Sequence, residues 1–254
     1  DLIVLGGSVG IEKASGDYLL MLNNDTEVIQ PEWLSRMMNY GQRTDVGIVG
    51  AKLIYPSSSL TQHVGVILGL TDTADHPYND KLGLSESGYM GRAQLDQNYS
   101  AVTAAVMLVN RNVYQQVGGM DSEKLAVLFN DVDLCLKVGL AGYKVVWTPF
   151  AVVTHHGSSS LNENKVTNLN MDFYDQANKL SRGQHERRTL LARWLPKLAR
   201  DPAYNKNLSL KVGYDIELNG MQNWDINFQS RFKKNPFKNI YRPVRQMHCS
   251  AFPP

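Results

Sequence analysis

The stretch DYLLMLNNDTEV, residues 17–28, decides the fold, because an unbroken apolar run changes there to polar residues. The apolar run, Tyr18 to Leu22, is typical of a fully buried strand in a parallel sheet. Ligands of open α/β sheets bind outside the carboxyl ends of the strands. The polar segment Asn23–Asp25 that follows therefore marks a candidate site, although the same residue types also form ordinary turns.

The composition is that of a globular chain that can bury a sizeable core. Its 254 residues are 43% hydrophobic and 20% charged, as is usual for such proteins. No apolar run reaches the ~18 residues that a membrane span needs. The two cysteines, Cys135 and Cys249, are far apart in sequence and indicate a reducing compartment. We therefore expect a cytoplasmic protein.

Charge is unevenly distributed along the chain. Residues 1–181 carry a net charge of −7 and residues 182–254 a net charge of +9. A basic segment of this kind fits either a solvated surface or an anionic partner. No nucleic-acid motif is present, and aromatic residues do not alternate with the basic ones as base stacking requires. We therefore expect no nucleic-acid partner.

Alternation of apolar strand patterns with helical patterns predicts an α/β fold with a mostly parallel sheet. Strands are predicted at 46–55, 63–70, 104–109, 143–147 and 151–154, and helices from Pro31, over 111–117, from the N-cap Asn130, and over 174–199. Residues 71–98 are polar, contain several glycines and show no period. Long irregular inserts are usually functional or mobile, so this one is predicted to be an active-site flap.

Three chemical groups stand at predicted strand ends or loops: Asp25, Asp131 and His155. A helix start explains Asp133, since the dipole favours carboxylates in the first turn. Asp131 is two residues away, does not share a helix face with Asp133, and is left to point elsewhere. A carboxylate, a histidine and a second carboxylate suit transfer to or from a diphosphate. That chemistry needs a divalent cation and a general base.

Two blocks of the sequence resemble a known family. They are GDYLLMLNNDTEVIQPEWL, residues 16–34, and GGMD at 118–121 followed by FNDVDLCLKVGLAGYKVVWTPFAVVTHHGSS at 129–159. They resemble the family 2 inverting glycosyltransferases of the GT-A fold, closest to bacterial rhamnosyl- and galactofuranosyl-transferase-like enzymes. The resemblance implies a Rossmann-like, mostly parallel GT-A domain over 1–160, a helical basic extension over 161–230, and a tail or linker over 231–254.

The resemblance also implies roles for individual residues. Asn23, Asn24 and Asp25 match the family's D-x-D-type motif and are expected to bind the donor diphosphate. Asp131 matches the general base, and His155 matches a histidine that completes the metal site with Asp25. The expected cofactor is a divalent cation, Mn²⁺ or Mg²⁺.

Acceptor binding is predicted for Asn130 and Trp147, and Gly118-Gly119 falls where the family often lines its clefts. The implied reaction moves a sugar, with inversion, from a nucleoside-diphosphate donor to a glycan or lipid-linked acceptor in bacterial cell-surface polysaccharide synthesis. The basic extension is expected to contact an anionic membrane or the acceptor's pyrophosphate. The expected location is therefore cytoplasmic, at the inner face of the membrane.

The sequence departs from the family pattern at several positions. Asn23 replaces the first carboxylate of the metal motif and Asn130 replaces a glutamate, although an amide oxygen can still bind a cation. DLIVL, residues 1–5, resembles the family's second strand but lacks the Asp expected after it. We therefore expect residues to be missing before Asp1 and between Leu5 and Gly10.

Two other functions remain open. A catalytically inactive glycan-binding or scaffold domain is favoured by Asn23, Asn130 and the incomplete amino-terminal elements. A sugar-nucleotide nucleotidyltransferase is also an α/β, metal-dependent protein. It requires a glycine-rich and basic amino-terminal loop, which this sequence lacks.

Overall fold

A computed structural model describes residue 11, residues 13–157 and residues 171–215, with the side chains of 171–179 left out. The predicted strand at 1–5 and the predicted tail at 231–254 lie outside the described residues.

One seven-stranded sheet forms the centre of the described structure. Its strands are β1 (Tyr18–Leu22), β2 (Thr26–Val28), β3 (Val46–Ile54), β4 (Thr61–His63), β7 (Gln97–Tyr99), β8 (Val106–Asn110) and β9 (Lys144–His155). A separate two-stranded sheet joins β5 (Ile67–Leu68) to β6 (Ala74–Asp75). The helices are α1 (Trp33–Gly41), α2 (Arg111–Gln116), α3 (Asn130–Leu140) and α4 (Met171–Leu198), with 3₁₀ turns at Leu70–Asp72 and Tyr89–Gln94.

The strands follow the order β1-β8-β3-β9-β2, with β4 added to β3 and β7 added to β9. The α/β fold class is confirmed, but the described sheet is mixed rather than mostly parallel. β3 and β9 run parallel, whereas the other described pairs of this sheet are antiparallel. An apolar run reports burial on both faces and not strand direction, which is why the sequence pattern did not reveal the antiparallel pairs.

Two predicted strand boundaries were wrong. The strands expected at 143–147 and 151–154 are one strand, β9, whose pairing with β3 shifts between Ala51, opposite Thr148, and Lys52, opposite Val152. Pro149 lies in this irregular part of β9, where no ladder hydrogen bond is needed. The strand expected at 63–70 is divided instead between β4 and β5.

Helices cover both faces of the sheet. On one face α1 packs through Trp33 and Met37, and the Met37 side chain is fully buried. On the other face α3 and α4 share one hydrophobic cluster, to which Leu134, Leu190 and Trp194 belong. The helical extension therefore packs on the body of the fold, and the predicted boundary at residue 160 stays a prediction. In the described part of the chain, no helix is long and apolar enough to cross a membrane.

Lys52, on strand β3, forms hydrogen bonds with the predicted flap at 71–98. Its side chain is buried at 1% exposure, and its Nζ donates to the backbone oxygens of Leu84 at 2.8 Å and Ala93 at 3.2 Å. Burial lowers the pKa of Lys52 to about 8. Whether residues 71–98 move as a flap stays a prediction.

We expect the free energy of unfolding of the wild-type chain to rise relative to that of Lys52→Met between about pH 8 and about pH 10.4. Below this window the lysine is charged in both states, so folding buries a charge. Above it the lysine is neutral in both states and that penalty is gone. Urea unfolding of both chains across this range measures the difference, and a constant difference would contradict the prediction.

Candidate active site

The turn after β1 brings Asp25 beside the end of β9. The backbone amide of Asn23 donates to the Ala105 carbonyl at 2.9 Å, and the backbone carbonyl of Asn23 accepts the Thr26 hydroxyl at 2.6 Å. Thr26 then pairs with His155, and the His156 amide donates to the Asp25 carbonyl at 2.9 Å. The predicted donor motif and the predicted metal-binding histidine therefore meet at one edge of the sheet, although 130 residues of chain separate them.

The His155 imidazole contacts three polar side chains. Its Nε2 lies 3.1 Å from Asp25 Oδ1 and 3.2 Å from Asn23 Nδ2. Its Nδ1 lies 2.5 Å from Gln62 Oε1, while Gln62 Nε2 donates to the His155 carbonyl at 3.3 Å. Because Gln62 presents an acceptor, Nδ1 carries the proton and Nε2 presents its lone pair towards Asp25. Burial lowers the pKa of His155. The neighbouring Asp25 carboxylate raises this pKa only in part, so the neutral form of His155, which can bind a metal, is favoured.

Gly157 makes room for Gln62. It has a φ of +60°, and a Cβ at this position would lie 2.5 Å from Gln62 Nε2. A side chain at Gly157 would therefore both strain the backbone and displace the residue that fixes the His155 tautomer.

Asp25 and His155 present a carboxylate oxygen and an imidazole nitrogen, two kinds of atom that bind divalent cations. Adjacent ligands of an octahedral cation, each at about 2.1 Å, are about 3.0 Å apart, close to the 3.1 Å between Asp25 Oδ1 and His155 Nε2. Two acceptors at this distance repel each other unless a cation, a proton or an amide N–H lies between them. No cluster of three or more His, Cys, Asp or Glu side chains suited to a metal occurs among the described residues. Among the described residues, a flip of the Asn23 side chain would present its amide oxygen as a third ligand.

Asp131, the predicted base, lies in the first turn of α3. Its Oδ1 accepts the Val132 amide at 2.8 Å, and its Oδ2 accepts the Ala104 amide at 3.1 Å. These two backbone donors fix the orientation of the carboxylate. As the sequence predicted, Asp131 and Asp133 point to different partners.

Three consecutive residues before β8, Thr103 to Ala105, form backbone hydrogen bonds with three different parts of the site. The Thr103 amide donates to His63 Nε2 at 3.4 Å, the Ala104 amide to Asp131, and the Ala105 carbonyl accepts from Asn23. The carboxylate of Asp131 and the Asn23–Asp25 turn are thus held by neighbouring peptide groups. This shared anchor brings the predicted base and the predicted donor motif to one place.

The start of α3 differs from its prediction. The N-cap is Phe129, in the left-handed conformation with φ 63°, and Asn130 is the first helical residue. Asn130 Oδ1 instead accepts the amide of Asp131 at 2.8 Å. Glu186 of α4, 2% exposed, accepts the amides of Val127 at 3.3 Å and Leu128 at 2.5 Å. A long-range contact therefore shapes the loop before the helix, and a local capping pattern cannot predict it.

Asp133 joins α3 to α4. Its fully buried Oδ1 accepts Arg193 Nη1 at 2.9 Å and Trp194 Nε1 at 2.8 Å, and Lys137 Nζ lies 2.7 Å from Oδ2. Arg193 also binds Asp121 at 2.5 Å; backbone N–H groups and this arginine lower the pKa of Asp121 to about 2. Through these contacts α4 holds the helix that carries Asp131.

The remaining predicted site residues have different outcomes. Trp147 is fully buried and its Nε1 donates to the Ala51 carbonyl at 3.1 Å, so it is a core residue and the predicted acceptor contact is corrected. Asn24 is exposed and Asn130 is partly exposed, and their binding roles stay predictions. Gly118-Gly119 forms the positive-φ turn after α2, and no described contact tests its role in a cleft.

Sequence reasoning missed Gln62 and His63, neighbours on β4, and gave His76 no role. His63 is fully buried, and its Nδ1 lies 2.8 Å from His76 Nδ1. The only local signal was the pair of polar residues in an otherwise apolar region, which also suits an ordinary short strand.

The α/β fold thus combines a carboxylate–histidine pair with an aspartate held in the first turn of a helix. No family model matches the chain. The chain is 41% identical over 204 residues to the uncharacterized protein y4gI of Sinorhizobium fredii, covering 80% of this chain and 21% of that protein. It is 38% identical over 149 residues to the O-antigen biosynthesis protein RfbC of Myxococcus xanthus, covering 59% of this chain and 12% of that protein.

A shorter match connects the chain to an enzyme with a named reaction. Over 68 residues, 27% of this chain and 22% of the relative, it is 35% identical to the N-acetylglucosaminyl-diphospho-decaprenol L-rhamnosyltransferase of Mycobacterium tuberculosis. These relatives support the predicted resemblance to family 2 glycosyltransferases of bacterial polysaccharide synthesis. The chain spans about a fifth or less of the length of the first two relatives, 21% and 12%.

A solved structure gives a weaker likeness. The mannosyltransferase PcManGT from Pyrobaculum calidifontis, in complex with GDP-Man and Mn²⁺, matches with a TM-score of 0.40 and 14% identity, over 59% of this chain and 35% of that one. A likeness this distant carries no argument about the substrate or metal of this chain.

Proposed function

We propose that this chain is a metal-dependent glycosyltransferase domain that moves a sugar from a nucleoside-diphosphate donor to a glycan or lipid-linked acceptor, with inversion. One observation carries the proposal. The Asn23–Asp25 turn, which meets His155, and the Asp131 carboxylate are anchored on adjacent peptide groups. The relatives named for O-antigen biosynthesis and rhamnosyl transfer support the same reaction class.

In this proposal Asp131 accepts the proton of the attacking acceptor hydroxyl. Its two backbone hydrogen bonds hold the carboxylate in one orientation, so little reorganisation is needed when the proton arrives. Asn23, Asp25 and His155 bind the donor side, and Gln62 keeps His155 in the tautomer that ligates. A divalent cation held there would neutralise the negative charge of the departing diphosphate.

We also propose that the protein works at the cytoplasmic face of a membrane, where a lipid-linked acceptor would be presented. The support is electrostatic: residues 182–254 carry a net charge of +9. Among them Arg182, Arg188 and Lys206 are exposed. Anionic lipids attract such basic segments within about a Debye length.

The alternative, an inactive glycan-binding or scaffold domain, is favoured by Asn23 and Asn130 in positions where the family has carboxylates. It predicts no metal-dependent nucleotide binding. The two functions therefore differ in a property that can be measured without knowing the acceptor.

We expect Mn²⁺ with one nucleoside-diphosphate sugar, from a panel of UDP-, dTDP- and GDP-sugars, to raise the melting temperature of the chain. At a hundredfold excess over Kd the rise should be about 5 to 10 °C, because the ligand binds only the native state. Asp25→Asn should abolish the shift.

Glu27→Gln is the matched control, since this carboxylate lies two residues away with a side chain 67% exposed, and it should leave the shift intact. No shift with any donor would overturn the proposal and favour the inactive domain.

A further inference from the structure

His63, which is buried, and His76, which is partly buried, form a contacting pair near the proposed base. Their Nδ1 atoms are 2.8 Å apart, and the rings meet edge to face with centroids 4.9 Å apart. His63 lies on β4, and His76 follows β6 in the insert at 71–98. The proposed mechanism uses neither residue.

The hydrogen bonds of the pair fix where its protons lie. His63 Nε2 accepts the Thr103 amide at 3.4 Å, so this nitrogen carries a lone pair. Burial and the neighbouring His76 lower the pKa of His63 well below its usual value, so His63 is neutral with its proton on Nδ1. His63 therefore donates to His76 Nδ1. His76 Nδ1 is then the acceptor, so the His76 ring is neutral and carries its proton on Nε2.

The histidine pair lies near the proposed base, because the adjacent amides of Thr103 and Ala104 donate to His63 and to Asp131. Burial lowers the pKa of His76, and the strongest opposing influence is the Asp131 carboxylate, followed by Asp75. His155 acts on His76 more weakly than either. Within the described residues no hydrogen-bond partner of His76 Nε2 is found, and the side chain is only partly buried. Among the described residues, the histidine pair anchored beside Asp131 thus offers an N–H donor without a protein partner, and the neighbouring carboxylate offers acceptor oxygens.

A sugar ring presents the complementary pattern. One hydroxyl of a vicinal diol can donate its proton to a carboxylate, while the oxygen of its neighbour accepts from an N–H group. We propose that His76 binds the acceptor sugar, donating its Nε2–H to a hydroxyl oxygen next to the hydroxyl that Asp131 deprotonates. The proposal rests on the proposed glycosyltransferase function, and His63 is the positioning residue that sets the His76 tautomer.

The first test is ¹⁵N NMR of histidine-labelled chain, with signals assigned by His63→Gln, His76→Phe and His185→Phe. We expect the His63 proton on Nδ1 and a proton on His76 Nε2. In His63→Gln the His76 tautomer should no longer be fixed. A His76 ring in which Nε2 carries no proton would overturn the proposal, and this readout does not depend on activity.

The second test adds galactose, rhamnose, mannose and N-acetylglucosamine separately at increasing concentration, with and without Mn²⁺ and UDP. The His76 Nε2 signal should move with at least one sugar, and the exposed His185 should not respond. Deoxy derivatives of the responding sugar should fail to move the signal when they lack the contacted hydroxyl.

Kinetics with the sugar that responds give a separate readout. His76→Phe should raise the KM for that acceptor roughly tenfold, the effect of one lost hydrogen bond, with the KM for the donor unchanged. Metal-dependent nucleotide binding without any sugar response at His76 would overturn this inference alone. Loss of nucleotide binding itself would overturn the proposed function.

Discussion

Asp131→Asn is expected to lower the rate of sugar transfer by roughly 10³-fold, since a positioned general base contributes about 10² to 10⁴. The amide cannot take a proton from the acceptor, but it is nearly the same size as the carboxylate. Its single oxygen can keep one of the two backbone hydrogen bonds now made to Ala104 and Val132. The fold should therefore survive, with a small loss of stability.

The measurement is release of nucleoside diphosphate in the presence of acceptor, at the donor identified by thermal shift. The variant should show the same metal-dependent donor shift as the wild-type chain, which separates loss of chemistry from loss of binding. Transfer by Asp131→Asn within tenfold of wild type would show that another group accepts the proton.

The parts of the site that the sequence predicted are those with a local signal. Asp25 follows a strand of continuous apolar residues, and His155 ends another, so each could be placed at a strand end without knowing its partner. Their meeting through the pairing of β2 with β9 agrees with that reasoning. The α/β class followed in the same way from alternating patterns.

The parts that were missed depend on contacts between distant residues. Gln62 reaches His155 across 93 positions, and Glu186 reaches Leu128 across 58. No periodicity or capping rule encodes such a contact. Trp147 shows the opposite error, because an aromatic residue near a motif suggests sugar stacking but packs in the core equally well. The direction of the strands could not be predicted from the sequence for a similar reason. A strand that is buried on both faces is a continuous apolar run, whether it is parallel or antiparallel to its neighbours.

Asp133→Ala is expected to cost about 3 kcal/mol of unfolding free energy and to lower the melting temperature by roughly 6 to 12 °C. The carboxylate is fully buried, and its removal leaves Trp194 Nε1 without an acceptor and Arg193 without one of its two carboxylates. The value lies at the low end for a broken buried pair, because the Arg193 and Lys137 side chains keep 30% and 22% exposure to solvent.

Asp45→Ala provides the control for this prediction. Asp45 also binds two cations, Arg43 and Lys144, but its side chain is 41% exposed. Exposed ion pairs contribute little to stability, so this variant should melt close to the wild-type temperature. Equal melting of the two variants would mean that the buried network does not hold α3 and α4 together.

The Asp133→Ala substitution also tests whether α4 contributes to the site. Asp133 lies two residues after Asp131, and Glu186 of α4 holds the loop before it. If α4 positions the base, the Asp133→Ala variant should transfer sugar more slowly than the wild-type chain, with donor binding retained. The rates are compared at a temperature well below the melting point of the variant. Loss of stability with a normal transfer rate would instead make α4 a support for the fold alone, with the orientation of Asp131 set by Ala104 and Val132.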